Sequence, residues 1–214
     1  MNTVRLNGQP VSPSKIVCVG RNYVAHIEEL GNSVPDEMVV FLKPNSAIAN
    51  ELQSTCGEPL HYEGEICLMV ENGGFSAVAF GLDLTRRALQ AKLKAQGLPW
   101  ERAKAFDGAA LFSEFVPLPA QWTELSMELD INGATVQRGD TGLMLYRPDA
   151  ILAEILTFMS LNNGDIVMTG TPKGVGPVTT GDRFSGRVLA DGRLLAAGSW
   201  MADQGGSSRD LGAK

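Results

Sequence analysis

The chain holds two histidines, and the first stands where it could serve as a base. His26 precedes Glu29 by three residues, in a stretch over 23–30 that reads as a short helix. Three residues turn a helix by about 300°, so these two side chains share a face while Glu28 points elsewhere. A carboxylate beside an imidazole orients the ring and stabilises its charged form, which makes a general base effective near neutral pH. The same spacing is met in solvated surface pairs, and spacing alone favours that plainer assignment.

A second cluster is His61-Tyr62-Glu63-Gly64-Glu65. On a strand, Glu63 and Glu65 would fall on one face, and two carboxylates facing one way repel unless a cation sits between them. An exposed strand face is the plainer alternative, yet the run continues into Ile66-Cys67-Leu68-Met69-Val70, a buried strand by composition. Asp83 opens Asp83-Leu84-Thr85-Arg86-Arg87-Ala88-Leu89-Gln90, where its simplest role is the N-cap of a helix over 84–96. On that helix Arg87 and Gln90 point the same way and Arg86 about 100° off. Lys104 follows in the Trp100 to Asp107 segment, where a lone lysine reads as a solvated charge. The run Thr169-Gly170-Thr171-Pro172-Lys173-Gly174-Val175-Gly176-Pro177 lacks the G-x-x-x-x-G-K-[ST] order of a phosphate loop. As a rigid turn with hydroxyls and free backbone N–H groups it could still hold a carboxylate.

The elements that must position these groups are mostly strands. Apolar runs predict strands over 15–19, 39–42 (halted at Pro44), 65–71, 166–169 and 183–190, the last turned by Asp191-Gly192. Residues 126–131 and 134–136 around Asn132-Gly133 form the strongest hairpin signal. Besides 84–96, which Gly97-Leu98-Pro99 closes, helices are predicted over 23–30, with Asn22 as N-cap and Gly31 as stop, and over 148–159. The last starts at Pro148 and carries an apolar stripe of Ile151, Leu152, Ile155 and Leu156. Strands in runs with so few helices imply an α+β, mainly β fold, not a doubly wound sheet. One domain over 1–214 is expected: a segment over 1–50 carrying the His–Glu helix, a β-rich core over 60–200, and a loose tail over 205–214. The short helix, followed by Gly31 and polar residues 32–37, is expected to be mobile and to close over a bound substrate.

Composition excludes several classes. Among 214 residues, 18 Lys and Arg face 24 Asp and Glu, a net charge of −6 with histidine neutral. An acidic chain without a basic block is a poor nucleic-acid binder. No apolar run reaches the roughly 18 residues that a membrane span requires, and the first residues do not read as a signal peptide. The three cysteines, Cys18, Cys56 and Cys67, are odd in number, far apart and without a C-x-x-C pair. They read as free thiols in a reduced, cytoplasmic protein.

Taken together, the segments resemble the fumarylacetoacetate hydrolase family, in its small acylpyruvase-like members. The matching stretches are Cys18-Val19-Gly20-Arg21-Asn22-Tyr23 with His26 and Glu29, then Phe41-Leu42-Lys43-Pro44, then His61 to Glu65. Asp83-Leu84-Thr85 with Arg87 and Gln90 follows, then Gly97-Leu98-Pro99-Trp100 with Lys104, and Thr169 to Pro177. They stand in the family's order and cover about residues 15–185. The resemblance implies a mixed β-sandwich roll, a homodimer, and one Mg²⁺ or Mn²⁺ per site held by Glu63, Glu65 and Asp83. Three hard oxygen donors suit those ions better than zinc or copper. It further implies His26, Glu29 and Lys104 as catalytic groups, with Arg21, Arg87, Gln90 and Thr171 on the substrate. The implied activity is hydrolytic C–C cleavage of an acylpyruvate or related β-diketo acid to pyruvate, with oxaloacetate decarboxylation open to the same site. An isomerase or hydratase of an unsaturated 2-oxo dicarboxylate is the alternative. Ala88, where relatives often carry an acid, and Tyr62, where many carry histidine, depart from the pattern and leave the substrate open.

Overall fold

The computed structural model describes residues 1–29, 31 and 34–205. The expected end of the first helix at Leu30, and all but the first residue of the expected tail, lie outside them. A small hairpin, β1 (Val4–Leu6) and β2 (Gln9–Val11), opens the chain, followed by β3 (Lys15–Gly20), α1 (Val24–Glu29) and β4 (Val39–Pro44). Next come β5 (Leu52–Gln53), β6 (Leu60–Tyr62), β7 (Gly64–Glu71), β8 (Gly74–Asp83) and β9 (Thr85–Arg86). Two helices, α2 (Arg87–Ala95) and α3 (Glu101–Lys104), lead into β10 (Ala110–Phe112) and β11 (Val116–Pro117). The remainder is β12 (Leu125–Ile131), β13 (Ala134–Asp140), α4 (Pro148–Phe158), β14 (Ile166–Met168), β15 (Gly176–Pro177), β16 (Arg183–Ala190) and β17 (Arg193–Asp203).

The strands form a mainly β roll. The first sheet runs β10-β8-β7-β14-β3-β4, with β11 beside β8, and the second runs β13-β12-β16-β17-β5. A small third sheet, β15-β6-β9, bridges the site end. The period-2 alternation of β3 sends Val17 and Val19 to one face, under Ile151 and Ile155 of α4, and Ile16 and Cys18 to the other. Between the two large sheets, Phe80 and Leu82 pack with Met127, Leu129, Phe184 and Val188. A Cβ at Gly186 would sit 2.2 Å from the Phe80 ring, so only glycine lets β16 approach β8 this closely. Cys18 and Cys67 are buried free thiols, as expected, and Cys56 is half-buried and free.

Several expectations are corrected. Residues 74–83 form a long strand, β8, that ends at Asp83, so Asp83 is not a helix cap; α2 begins only at Arg87. Arg86 belongs to β9 and lies outside the helix phase altogether. Asn22 does not cap α1: its side-chain amide instead bonds Tyr146 O at 2.9 Å and Thr169 O at 2.8 Å. On α4, Ile151 and Ile155 are buried but Leu156 is 49% exposed, because the helix rests on one sheet along a narrow stripe. Helix α3, a single turn, is too short to show a helical period in the sequence.

Candidate active site

Strand pairing explains how the carboxylates meet. A two-residue turn at Asn72 (φ 51°) and Gly73 (φ 79°) joins β7 to β8, with Glu71 opposite Gly74. Continued without interruption, that register would set Glu63 across from Leu82. A bulge between Met69 and Val70 shifts the pairing by one residue, so that Gly64 faces Leu82 and Glu65 faces Gly81. Glu63 then falls opposite Asp83, and the Asp83 N–H donates to Glu63 O at 2.8 Å. Glu63, Glu65 and Asp83 are all buried, with one oxygen of each within 4.8 Å of the others.

Three cations pair with two of these acids, Glu63 and Asp83. Lys104, 2% exposed and not solvated as the sequence suggested, places Nζ 2.8 Å from Glu63 Oε2, 2.8 Å from Asp83 Oδ2 and 2.6 Å from Thr85 Oγ1. All three ammonium protons are thereby engaged. Arg87 donates to Glu63 Oε1 and, at 2.8 Å, to Gln90 Oε1. Lys43, wholly buried on β4, sits 2.7 Å from Asp83 Oδ1. Burial alone would push the Glu63 carboxyl up, but Lys104 and Arg87 outweigh it and hold the group well below the usual carboxylate range. Glu65 touches none of these cations through a side-chain hydrogen bond or ion pair among the described contacts, and accepts from the Gly170 N–H at 2.8 Å. Burial, followed by the charges of Asp83 and Glu63, drives its carboxyl well above the usual range. Lys104, despite burial, is raised by the same two acids.

The expected dyad forms. His26 Nδ1 lies 3.2 Å from Glu29 Oε2 on α1; His26 is buried, at 5% exposed, while Glu29 stays exposed to solvent, so the imidazole is enclosed and its carboxylate partner is not. An ionised carboxylate only accepts, so a neutral ring carries its proton on Nδ1 and leaves Nε2 basic. The loop after β14 does hold carboxylates, but they are the protein's own: Gly170 N–H serves Glu65, and Gly174 N–H serves both oxygens of Glu29 at 2.9 and 3.1 Å.

One cavity of about 40 Å³ gathers Arg21, His26, Glu63, Glu65, Asp83, Arg87, Gln90, Lys104 and Thr171 in its wall. Glu29 stands behind His26, and His61, in β6, does not line the cavity. Lys94, Phe41 and Trp100, to which the sequence alone assigned no role, also line it. Lys94 follows Arg87 by seven positions on α2, and that helical spacing was the available signal. The Lys94 ammonium is lowered by burial, then by Arg21 and Arg87, which marks this end of the cavity as cationic. A larger hollow of about 930 Å³ near Leu42, Leu89 and Phe106 is lined by none of Glu29, Glu63, Glu65 and Asp83. The reactive groups belong to the small cavity.

The triad fits a hard divalent cation. Asp83 Oδ1 is buried without a hydrogen-bond donor, Glu65 is crowded by like charge, and all ligand atoms would be oxygens. A buried acidic triad beside a His–Glu pair and a cationic wall, on a β roll, defines a centre suited to a cation and a small anionic molecule.

The chain belongs to the fumarylacetoacetate hydrolase family: the model of the fumarylacetoacetate hydrolase C-terminal domain matches residues 15–205. It is 38% identical over 202 residues to the oxaloacetate tautomerase YcgM of Escherichia coli, covering 85% of this chain and 90% of that one. The mitochondrial oxaloacetate tautomerase oaa1 of Schizosaccharomyces pombe is 39% identical over 198 residues, covering 82% and 88%. The crystal structure of fumarylpyruvate hydrolase from Pseudomonas aeruginosa in complex with Mn²⁺ and pyruvate superposes with a TM-score of 0.85 at 29% identity, covering 95% of this chain and 96% of that one. Among the described residues, no helix is long and apolar enough to cross a membrane.

Proposed function

We propose that the chain is a divalent-cation-dependent enzyme of small 2-oxo acids, and that its reaction is keto–enol exchange of oxaloacetate. The observation that carries the proposal is the convergence of His26, backed by Glu29, with the acidic triad in one cavity. The two tautomerase relatives support the substrate. Glu63, Glu65 and Asp83 would hold Mg²⁺ or Mn²⁺, which when bound supplies charge stabilisation for the enolate form of the substrate.

The chain's own residues supply the rest. Arg87, fixed by Gln90 and Glu63, and Arg21 receive substrate carboxylate, and the cationic wall favours a dianion. In the keto-to-enol direction His26 Nε2 takes a proton from the carbon next to the 2-oxo group and a proton is delivered to the resulting enolate oxygen, the reverse direction retracing both transfers, while Glu29 holds the ring and stabilises the imidazolium. Lys104 adds a fixed positive charge beside the developing negative one; its protons are already engaged by Glu63, Asp83 and Thr85. Thr171 shapes the wall, since its hydroxyl is committed to Gly64 O at 2.9 Å. Helix α1, which carries His26 into the cavity wall, is the proposed lid over bound substrate.

A second reading, hydrolysis of an acylpyruvate, is favoured by the same dyad, which could deprotonate water as readily as carbon. The likeness to fumarylpyruvate hydrolase supports it. Assays of oxaloacetate keto–enol exchange, oxaloacetate decarboxylation and acetylpyruvate hydrolysis, each with Mg²⁺, with Mn²⁺ and after chelation, separate the readings. Exchange that responds to cation and outpaces the other two is expected. Efficient acetylpyruvate cleavage with no catalysed exchange would install the hydrolase in its place.

A further inference from the structure

We propose that Gln137, on β13 of the second sheet, is a positioning residue that sets Glu63 and Glu65 for the cation by closing a hydrogen-bonded ring around Gly64. The inference rests on the metal reading above. Gln137 is 1% exposed. Its Oε1 accepts from Gly64 N–H at 2.9 Å, and its Nε2 donates to Thr171 Oγ1 and to Pro172 O, each at 2.9 Å. Thr171 Oγ1 in turn donates to Gly64 O at 2.9 Å, which closes the ring.

Gly64 is the one residue between the two carboxylates, so both of the peptide units that flank its Cα are pinned: one through N–H, the other through C=O. A shift in either would swing Glu63 or Glu65 away from Asp83. The same strand also presses on the far part of the loop. Gly174 has φ +100°, and a Cβ there would lie 2.1 Å from Val136 O, the residue before Gln137. From this seat Gly174 N–H reaches Glu29, while Gly170 N–H reaches Glu65. One strand outside the catalytic sheet thus anchors a loop that holds both a triad carboxylate and the dyad carboxylate. Groups that orient metal ligands from behind typically matter by 10–100-fold in metal affinity.

The test is Mn²⁺ affinity of the substrate-free protein, measured by isothermal titration, so that substrate contacts do not enter. Gln137→Met keeps the side chain's length and removes its hydrogen bonds; affinity is expected to fall about tenfold or more. Thr171→Val breaks the same ring and is expected to weaken binding similarly, while Thr171→Ser, which keeps the hydroxyl, restores it. Because both residues act through one ring, the double variant Gln137→Met/Thr171→Val should be no worse than the weaker single. Ser113→Ala, which removes a buried hydroxyl bonded to Phe80 N at 3.0 Å away from the ring, controls for general loss of stability and should bind Mn²⁺ normally. Wild-type affinity in Thr171→Val, or losses that multiply in the double variant, would overturn the proposal, even if Gln137→Met did not fold. A wild type that bound no Mn²⁺ would remove the metal reading, and this inference with it.

Discussion

Lys43 Nζ lies 2.7 Å from Asp83 Oδ1 with both side chains shut off from solvent, yet Oδ1 receives no hydrogen bond. The ammonium protons go instead to carbonyls, those of Ala109 at 3.0 Å, Leu84 at 3.5 Å, and Lys104. Lys43 therefore balances the Asp83 charge and ties β4 to the segment that carries Lys104. Lys43→Met should cost about 3–5 kcal/mol, the range for breaking a buried ion pair by removing one partner. Urea denaturation checks this, and unchanged stability would refute it.

The neighbouring arginines should behave differently. Arg87 reaches Glu63 and Gln90, whereas Arg86 lies 4.7 Å over the Phe106 ring and donates to Cys56 Sγ at 2.7 Å. Arg87→Ala should lower kcat/KM for a dianionic substrate by an amount equivalent to about 2–5 kcal/mol. Arg86→Ala should change it little. Equal losses would place Arg86 in the site too.

Glu65 tests the triad. Glu65→Ala removes one of three crowded acids, so the protein should still fold, with repulsion from Asp83 and Glu63 relieved. Turnover that depends on Mg²⁺ should vanish. Circular dichroism reports the first outcome and a Mg²⁺ titration of rate the second; full activity at low Mg²⁺ would eliminate the site.

Asp165 is a structural carboxylate with a pH signature. Fully buried, it accepts from Ser14 N at 2.9 Å, Ser14 Oγ at 2.6 Å, Lys15 N at 3.2 Å and Asn162 N at 2.9 Å, tying the start of β3 to the turn before β14. Burial raises its pKa, but Lys15, Ser14 and these N–H groups outweigh burial and lower it. A carboxyl lowered on folding contributes stability above its unfolded pKa of about 3.9 and loses it as pH falls through the folded value. Asp165→Asn should therefore cost about 1–3 kcal/mol near neutral pH. In chemical denaturation, the gap between wild type and variant should narrow as pH falls below 3.9.

Local signals carried much of the fold. The β3, β4, β16 and α4 runs, and the Asn132-Gly133 hairpin, were legible because period and turn chemistry agree there. So were the His26–Glu29 pair, which helical spacing places together, and the divergence of Arg86 from Arg87, although the reason was a strand end and not a helix phase. The meeting of Glu63 with Asp83 was not derivable from local pattern. It depends on the Asn72-Gly73 turn, a signal present in the sequence, and on the bulge at Met69/Val70, which has none. Lys43 and Gln137 had no site role legible in the sequence for a related cause: Lys43 reaches Asp83 from another strand and Gln137 reaches Gly64, between the two glutamates, from another sheet, and only tertiary pairing makes them neighbours.

If His26 transfers the proton in a cavity whose acids hold the cation, the rate of oxaloacetate keto–enol exchange at saturating Mg²⁺ will separate wild type from His26→Ala, with Mg²⁺ affinity measured alongside. The rate should fall about 10²–10⁴-fold, the range for a general base, with affinity unchanged. Glu29→Gln should follow closely, since a neutral amide cannot stabilise the imidazolium, whereas oxaloacetate decarboxylation should suffer less in both. Wild-type exchange in His26→Ala would contradict the account and reduce the dyad to a structural pair.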